Sequence, residues 1–192
     1  MILMIWLSKY RRSTLKEMIW NPWSWGGGVL IYVDSSVSYY RRFGLETIGV
    51  ESIWIEVTHA QSKPILLCSV YRPPGSTADS IYRFEVQIQK ALLKEDLETI
   101  ILGDFNIDYM KTQPLTRISN FETYNFTQLI NMPTRVTDKI ATIIDHVYTN
   151  KPDNISEINR SGGLVVRASA SDARGRGFDP RSSHTKDLQK WY

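Results

Sequence analysis

Short apolar runs bounded by Gly, Pro or Asn punctuate the first three quarters of this chain and set its predicted elements. The clearest, at 28–33, 52–57, 65–71, 99–102 and 143–148, are rich in branched and aromatic residues and read as strands. Within 52–57, Ile53, Ile55 and Val57 alternate with Ser52, Trp54 and Glu56, so one face is apolar and the other mixed. That alternation predicts a sheet packed on one side against another layer. Between 71 and 99 the period lengthens. Ile81, Phe84, Ile88 and Leu92 recur every three or four positions and predict a helix, with Thr77 or Asp79 capping its start. Leu115, Ile118 and Phe121 predict a second, weaker helix over about 115–124. The apolar opening, 1–7, reads as a buried strand or the stump of one. Together these elements predict an α/β chain.

At Ser161 the apolar rhythm stops, and 16 of the 26 residues in 161–186 are Gly, Ser, Ala or Arg. Such a stretch builds no core, and it resembles translated repeat DNA more than a protein domain. The predicted organisation is therefore one domain over 1–160 and an unrelated, unpatterned tail over 161–192, in which Leu164, Val165 and Val166 are the one apolar patch. The tail also explains the charge. Arg167, Arg174, Arg176, Arg181 and Lys186 against Asp172 and Asp179 account for the whole net charge of +3. The rest is formally neutral, so a diffuse basic surface is not predicted for the domain.

Cys68 is the one cysteine, which excludes an internal disulfide and a thiolate zinc cluster and fits a reducing compartment, nucleus or cytoplasm. The opening 1–7 lacks a basic flank and is far shorter than a signal-peptide core or a membrane span. Neither secretion nor membrane insertion is expected.

Three segments carry chemistry. Gly103-Asp104-Phe105-Asn106 follows the apolar run 99–102 directly, so a strand delivers a carboxylate and an amide to the edge of a sheet. Phosphodiester hydrolysis uses such a pair. The carboxylate orients water or a metal, and a neutral amide donates to a phosphate oxygen without repelling it. The plainer reading is an Asx turn in which Asp104 caps its own backbone. Upstream, Tyr71-Arg72-Pro73-Pro74-Gly75 ends a strand in a stiff turn that holds a phenol and a guanidinium at the edge, although an ordinary Pro-Pro-Gly turn accounts for it too. Downstream, Asp145 falls in the middle of an apolar run, where an unpaired carboxylate is costly and a partner is expected. Its neighbour His146 reads as packing or surface.

These blocks, 33 and then 41 residues apart from Tyr71 to Asp104 to Asp145, resemble the endonuclease/exonuclease/phosphatase superfamily. The likeness is nearest to the endonuclease domain of non-LTR, LINE-type retrotransposons, which is often joined to a reverse transcriptase. The blocks at 26–33, 50–55 and 131–135 resemble further parts of that subfamily, and the likeness covers 26–158. It implies a four-layer α/β sandwich, two packed mixed sheets flanked by helices, here incomplete at both ends. It also implies Mg²⁺-dependent hydrolysis of DNA phosphodiesters. By motif match Asp104 orients or activates water, Asn106 contacts phosphate, Tyr71 supports it, and Asp145 orients a catalytic His. Thr142, Arg72 and Thr134 match substrate contacts.

Two family groups are not matched. The family has an Asn on its first strand and then a metal-binding Glu, where here Ile2-Leu3-Met4-Ile5 runs straight into Trp6-Leu7-Ser8. It also has Ser-Asp-His about two dozen residues after the acid matched by Asp145, where here the tail has begun; His184 is too late in the chain. The resemblance therefore implies an inactive copy with no intact metal site, Asp104 being the nearest metal candidate. Two alternatives stay open: an active enzyme recruiting Glu17 or Asp108, and a non-catalytic nucleic-acid binder using the tail with Trp20, Trp23 and Trp25.

Overall fold

A computed structural model describes residues 3–4, 17–20, 29–33, 37–59, 62–93, 97–111, 121–159 and 165–168. In chain order the described strands are β1 (Leu3–Met4), β2 (Glu17–Trp20), β3 (Leu30–Val33), β4 (Ser38–Arg41), β5 (Glu51–His59) and β6 (Ser62–Tyr71). The helix α1 (Ala78–Leu92) follows, then β7 (Glu98–Asp104), β8 (Thr127–Gln128), β9 (Arg135–Val136), β10 (Ala141–Thr142), β11 (Asp145–Thr149), β12 (Ile155–Asn159) and β13 (Val165–Ala168). The main sheet runs β4-β5-β6-β7-β11-β8. Its β6 and β7 are parallel, and its other neighbours are antiparallel. A parallel pair needs a crossover, and α1 supplies it. The smaller sheets are β2-β3 and β1-β13-β12, and β9-β10 is a separate hairpin.

Both faces of the main sheet are covered. On the inner face Ile53, Ile55, Val57, Leu67, Ile100, Leu102 and Val147 pack with Val29, Ile31 and Val33 from β3 and the residue before it. On the outer face Trp54, Leu66, Cys68, Val70 and Ile101 pack under Phe84, Ile88 and Ala91 of α1. The result is the expected α/β sandwich of sheet on sheet with a helical layer outside; a helix over the second sheet does not occur among the described residues.

The strand β5 corrects the one-sided sheet read from its mixed face. Ser52, Trp54 and Glu56 are buried because their polar atoms find protein partners, and water is not needed. Gln87, fully buried on α1, accepts from Ser52 Oγ at 2.8 Å and from Trp54 Nε1 at 2.7 Å. Glu56 takes the Tyr40 hydroxyl at 2.8 Å and an ion pair with Arg42.

The expected helix begins after Thr77, which stands at the N-cap in extended conformation without a side-chain capping bond. Asp79 pairs with Arg83 one turn on. The weaker helix predicted at 115–124 falls partly outside the described residues, and its described end, 121–125, is a pair of turns with Tyr124 N–H donating to Phe121 O. Phe121 still serves the core, stacked on Tyr148 at 4.1 Å. Glu17, read as part of a linking segment, opens β2 opposite Val33.

The opening run supplies β1, as the apolar pattern predicted. Within the stretch read as an unpatterned tail, Val165–Ala168 departs from that expectation. It lies between β1 and β12, with Leu3 opposite Val166 and Ile158 also opposite Val166. A few β-branched residues suffice for backbone pairing where two neighbours offer free edges. The remainder of 161–192 lies outside the described residues.

Candidate active site

Tyr71 closes β6, Asp104 closes β7 and Asp145 opens β11, so all three stand at one end of the main sheet. Their register makes them neighbours, since Tyr71 is opposite Asp104 and Asp104 is opposite Asp145. Directly opposed residues share a face, and this row continues the inner face set by Leu67, Leu102 and Val147. It stands at the carboxyl ends of the two parallel strands, where open α/β sheets place their ligands.

Gly103 explains how the row closes up. A Cβ there meets Val70 O at 1.7 Å, so only glycine allows β6 and β7 to come this close. Beyond the strand, Asn106 has φ of 50°. Its N–H donates to Asp104 Oδ1 at 2.9 Å, which is the Asx turn of the plainer reading. Its Nδ2 donates to Arg72 O at 2.9 Å and fastens the ends of β6 and β7 together. The turn and the cluster coexist, because Asp104 caps the turn with Oδ1 while standing in the row between Tyr71 and Asp145.

Asp145 stands at the start of its strand and is half-buried, which corrects the expectation of a mid-strand acid in need of a partner. Among the described residues no hydrogen bond reaches its carboxylate. Its backbone is held firmly, because Thr134 Oγ1 accepts from the N–H groups of both Ile144 and Asp145 at 3.1 Å. Thr142 O accepts from Thr134 N–H at 2.9 Å, so both threonines build the base of the β9-β10 hairpin beside the row. Arg72, at the other flank, donates from Nε to Ser80 Oγ at 3.2 Å, from Nη1 to Phe105 O and from Nη2 to Ser76 O. These bonds tie the Pro-Pro-Gly turn to the start of α1.

His146 points to the outer face and is 1% exposed. Its ring stacks on Phe105 at 4.9 Å, and its Nε2 lies 2.9 Å from Ile107 O and 3.1 Å from Ile143 O. Carbonyls only accept, so Nε2 carries the proton and Nδ1 takes the Tyr148 hydroxyl at 3.1 Å. This histidine is core packing.

The row is electrostatically crowded. Burial, with the Asp145 charge adding to it, raises the Asp104 carboxyl from its ordinary value, against hydrogen bonds from Asn106. Burial and the charges of Asp104 and Glu51 raise the Tyr71 phenol. Glu51 is the residue that sequence reasoning passed over. It opens β5 directly opposite Tyr71 and extends the row to four strands. Burial raises its carboxyl, and its Oε2 has no hydrogen-bond partner among the described residues. It also lines a cavity of about 120 Å³ with Tyr71, Arg72, Ser76 and Phe84. The signal was present, since Glu51 starts the 50–55 block, but only strand register reveals its neighbour.

Among the described residues no three of His, Cys, Asp and Glu are placed to hold a metal ion. Asp104, the nearest metal candidate, and Asp145 are the two adjacent carboxylates of the row, and no step below is routed through a metal. Asp108, the substitute considered above, is engaged elsewhere: its Oδ1 accepts from Met110 and Ile143 N–H at 3.1 Å. Trp23 and Trp25 lie outside the described residues. Among the described residues no helix is long and apolar enough to cross a membrane, and Cys68 is a buried free thiol.

No protein-family model matches the sequence, and no curated protein matches it. Solved structures do. The endonuclease domain of TRAS1, a telomere-specific non-LTR retrotransposon, matches with a TM-score of 0.59 at 14% identity, covering 73% of this chain and 71% of that one. An endonuclease/exonuclease/phosphatase family protein from Leptotrichia buccalis matches at 0.49 and 15% identity, covering 80% and 71%. The human Nocturnin catalytic domain matches at 0.48 and 12%, covering 78% and 70%. The sheet order, the two-sided packing and the TRAS1 superposition agree: this chain has the endonuclease/exonuclease/phosphatase fold.

Proposed function

We propose that this chain is a partial retroelement-type endonuclease domain that recognises DNA phosphates at the rim of its main sheet and hydrolyses them no faster than background. The reading is carried by one observation, the unbroken register of Tyr71, Asp104 and Asp145 on one face. Three residues singled out far apart in sequence meet at the end of a sheet in a fold that TRAS1 endonuclease shares.

In this reading Asp104 orients water, the second Nδ2 hydrogen of Asn106 and the Tyr71 hydroxyl donate to the phosphate, and Asp145 is an orienting acid without its imidazole. General acid-base assistance is worth roughly 10² to 10⁴ in rate, and a metal adds several kcal/mol of charge stabilisation. A site without the family's metal-binding Glu and catalytic His falls to background in this reading. The parent element is proposed to have encoded a reverse transcriptase beside this domain.

Incubating the purified chain with supercoiled plasmid and Mg²⁺ tests the proposal. No nicking above a protein-free control is expected. Nicking that disappears in Asp104→Ala would overturn the inactive reading and favour recruitment of a substitute ligand.

A further inference from the structure

A rim bearing Glu51, Asp104 and Asp145 on one face repels the polyanion proposed to bind there, so a cation must stand among them. Two arginines flank the row. Arg72 is committed to Ser80, Phe105 and Ser76 and braces the turn that carries it.

Arg135 is placed differently. It opens β9 opposite Thr142, and the preceding residue, Thr134, takes the Ile144 and Asp145 amides on one hydroxyl. The base of the hairpin is thus fastened to the first residue of β11, and that residue faces Asp104. Arg135 is exposed, and among the described residues no hydrogen bond or ion pair engages its guanidinium. Its charge nevertheless reaches the site and offsets part of the upward push on the Asp104 carboxyl.

Resting on the nucleic-acid reading above, we propose that Arg135 is the phosphate-binding cation of this site, presenting its guanidinium fork to a backbone phosphate of duplex DNA across the Asp104–Asp145 pair. Arginine suits the task because its planar fork bonds two phosphate oxygens at once and its charge does not titrate. The rigid threonine-anchored base below it limits the entropy lost on binding.

The full chain is titrated against a fluorescein-labelled 20-base-pair DNA duplex, by anisotropy, over a series of KCl concentrations. Arg135→Ala is expected to weaken binding about five- to tenfold and to reduce the slope of log affinity against log salt by about 1. Arg135→Lys restores the slope while recovering only part of the affinity, since one point charge replaces a fork. Lys139→Ala, at the exposed tip of the same hairpin, controls for a general loss of positive charge and retains wild-type affinity. Duplex binding that Arg135→Ala leaves unchanged in affinity and slope overturns this assignment alone. Failure of the wild-type chain to bind the duplex overturns the nucleic-acid reading and this assignment with it. A loss in Lys139→Ala as large as in Arg135→Ala also overturns the assignment, because binding then follows net charge.

Discussion

Asp104 and Asp145 occupy directly opposed positions on adjacent antiparallel strands, with Tyr71 on the far side of Asp104 in the same row. Two carboxylates so placed are a cost to the fold that packing must offset. Burial is the larger cause and the Asp145 charge a further one, and together they hold the Asp104 carboxyl above its ordinary 3.8. Sites of this kind keep strain that a purely structural sheet end would discard.

A pH dependence follows. Asp104 binds its proton more tightly folded than unfolded, so its contribution to stability is fully present below about 3.8 and is lost as pH rises through the raised folded value. Asp104→Asn keeps the acceptor for the Asn106 N–H and removes the titration. The variant should melt at a higher temperature than wild type at pH 7, with the gap closing toward pH 4. Melting curves across that range check it, and equal melting temperatures at pH 7 would remove the electrostatic crowding from the account.

Gly103→Ala tests the close approach of β6 and β7. The added methyl meets backbone, Val70 O at 1.7 Å and Val70 C at 2.7 Å, and no side-chain rotation relieves that. Overpacking of a core against backbone should cost about 3 kcal/mol or more. Urea denaturation measures the loss, and a variant within about 0.5 kcal/mol of wild type would mean that the strands separate freely.

The sheet was legible because its strands are short apolar runs between breakers, and α1 because Phe84 and Ile88 recur at helical spacing. The two-sided burial of β5 was not legible. Ser52 and Trp54 look like a half-exposed face until Gln87, 33 to 35 residues away, satisfies them, and no local pattern encodes that meeting. The site followed the same division. Asp104 and Asn106 announce themselves by the turn they make, whereas Glu51 joins the row only through a register set by the whole of β5 and β6. Arg72, a phosphate candidate by its residue type, also braces its own turn in the fold through Ser76, Ser80 and Phe105, which its sequence does not reveal.

Thr134 separates a structural role from a contact role. Its hydroxyl accepts from two backbone N–H groups, and Thr134→Val leaves both without an acceptor in a half-buried place. A loss of about 1 to 3 kcal/mol is expected, and Thr134→Ser should recover most of it. Hydrogen exchange at Ile144 and Asp145 should accelerate in the valine variant. Unchanged exchange at those two amides would show that the hairpin base is held by something else.

His146 gives an acid-side prediction of opposite sign. Burial lowers its pKa below 6.5, against the backbone carbonyls of Ile143 and Ile107, which favour the charged ring. The unfolded chain therefore binds the proton more readily, and the stability held above pH 6.5 is lost as pH falls toward the depressed folded value. His146→Phe keeps a ring against Phe105 but removes the donor to Ile107 O and the Nδ1 acceptor of the Tyr148 hydroxyl. At pH 7.5 the variant should be less stable by about 1 to 3 kcal/mol. Between pH 7 and pH 5 the wild type should lose stability that the variant does not, so the two denaturation curves converge. Nitrogen NMR of the ring should show the Nε2–H form throughout the stable range, since Ile107 O and Ile143 O both require a donor there. Curves that stay parallel from pH 7.5 to pH 5 would mean that His146 titrates equally in both states and that its burial costs the charged form nothing.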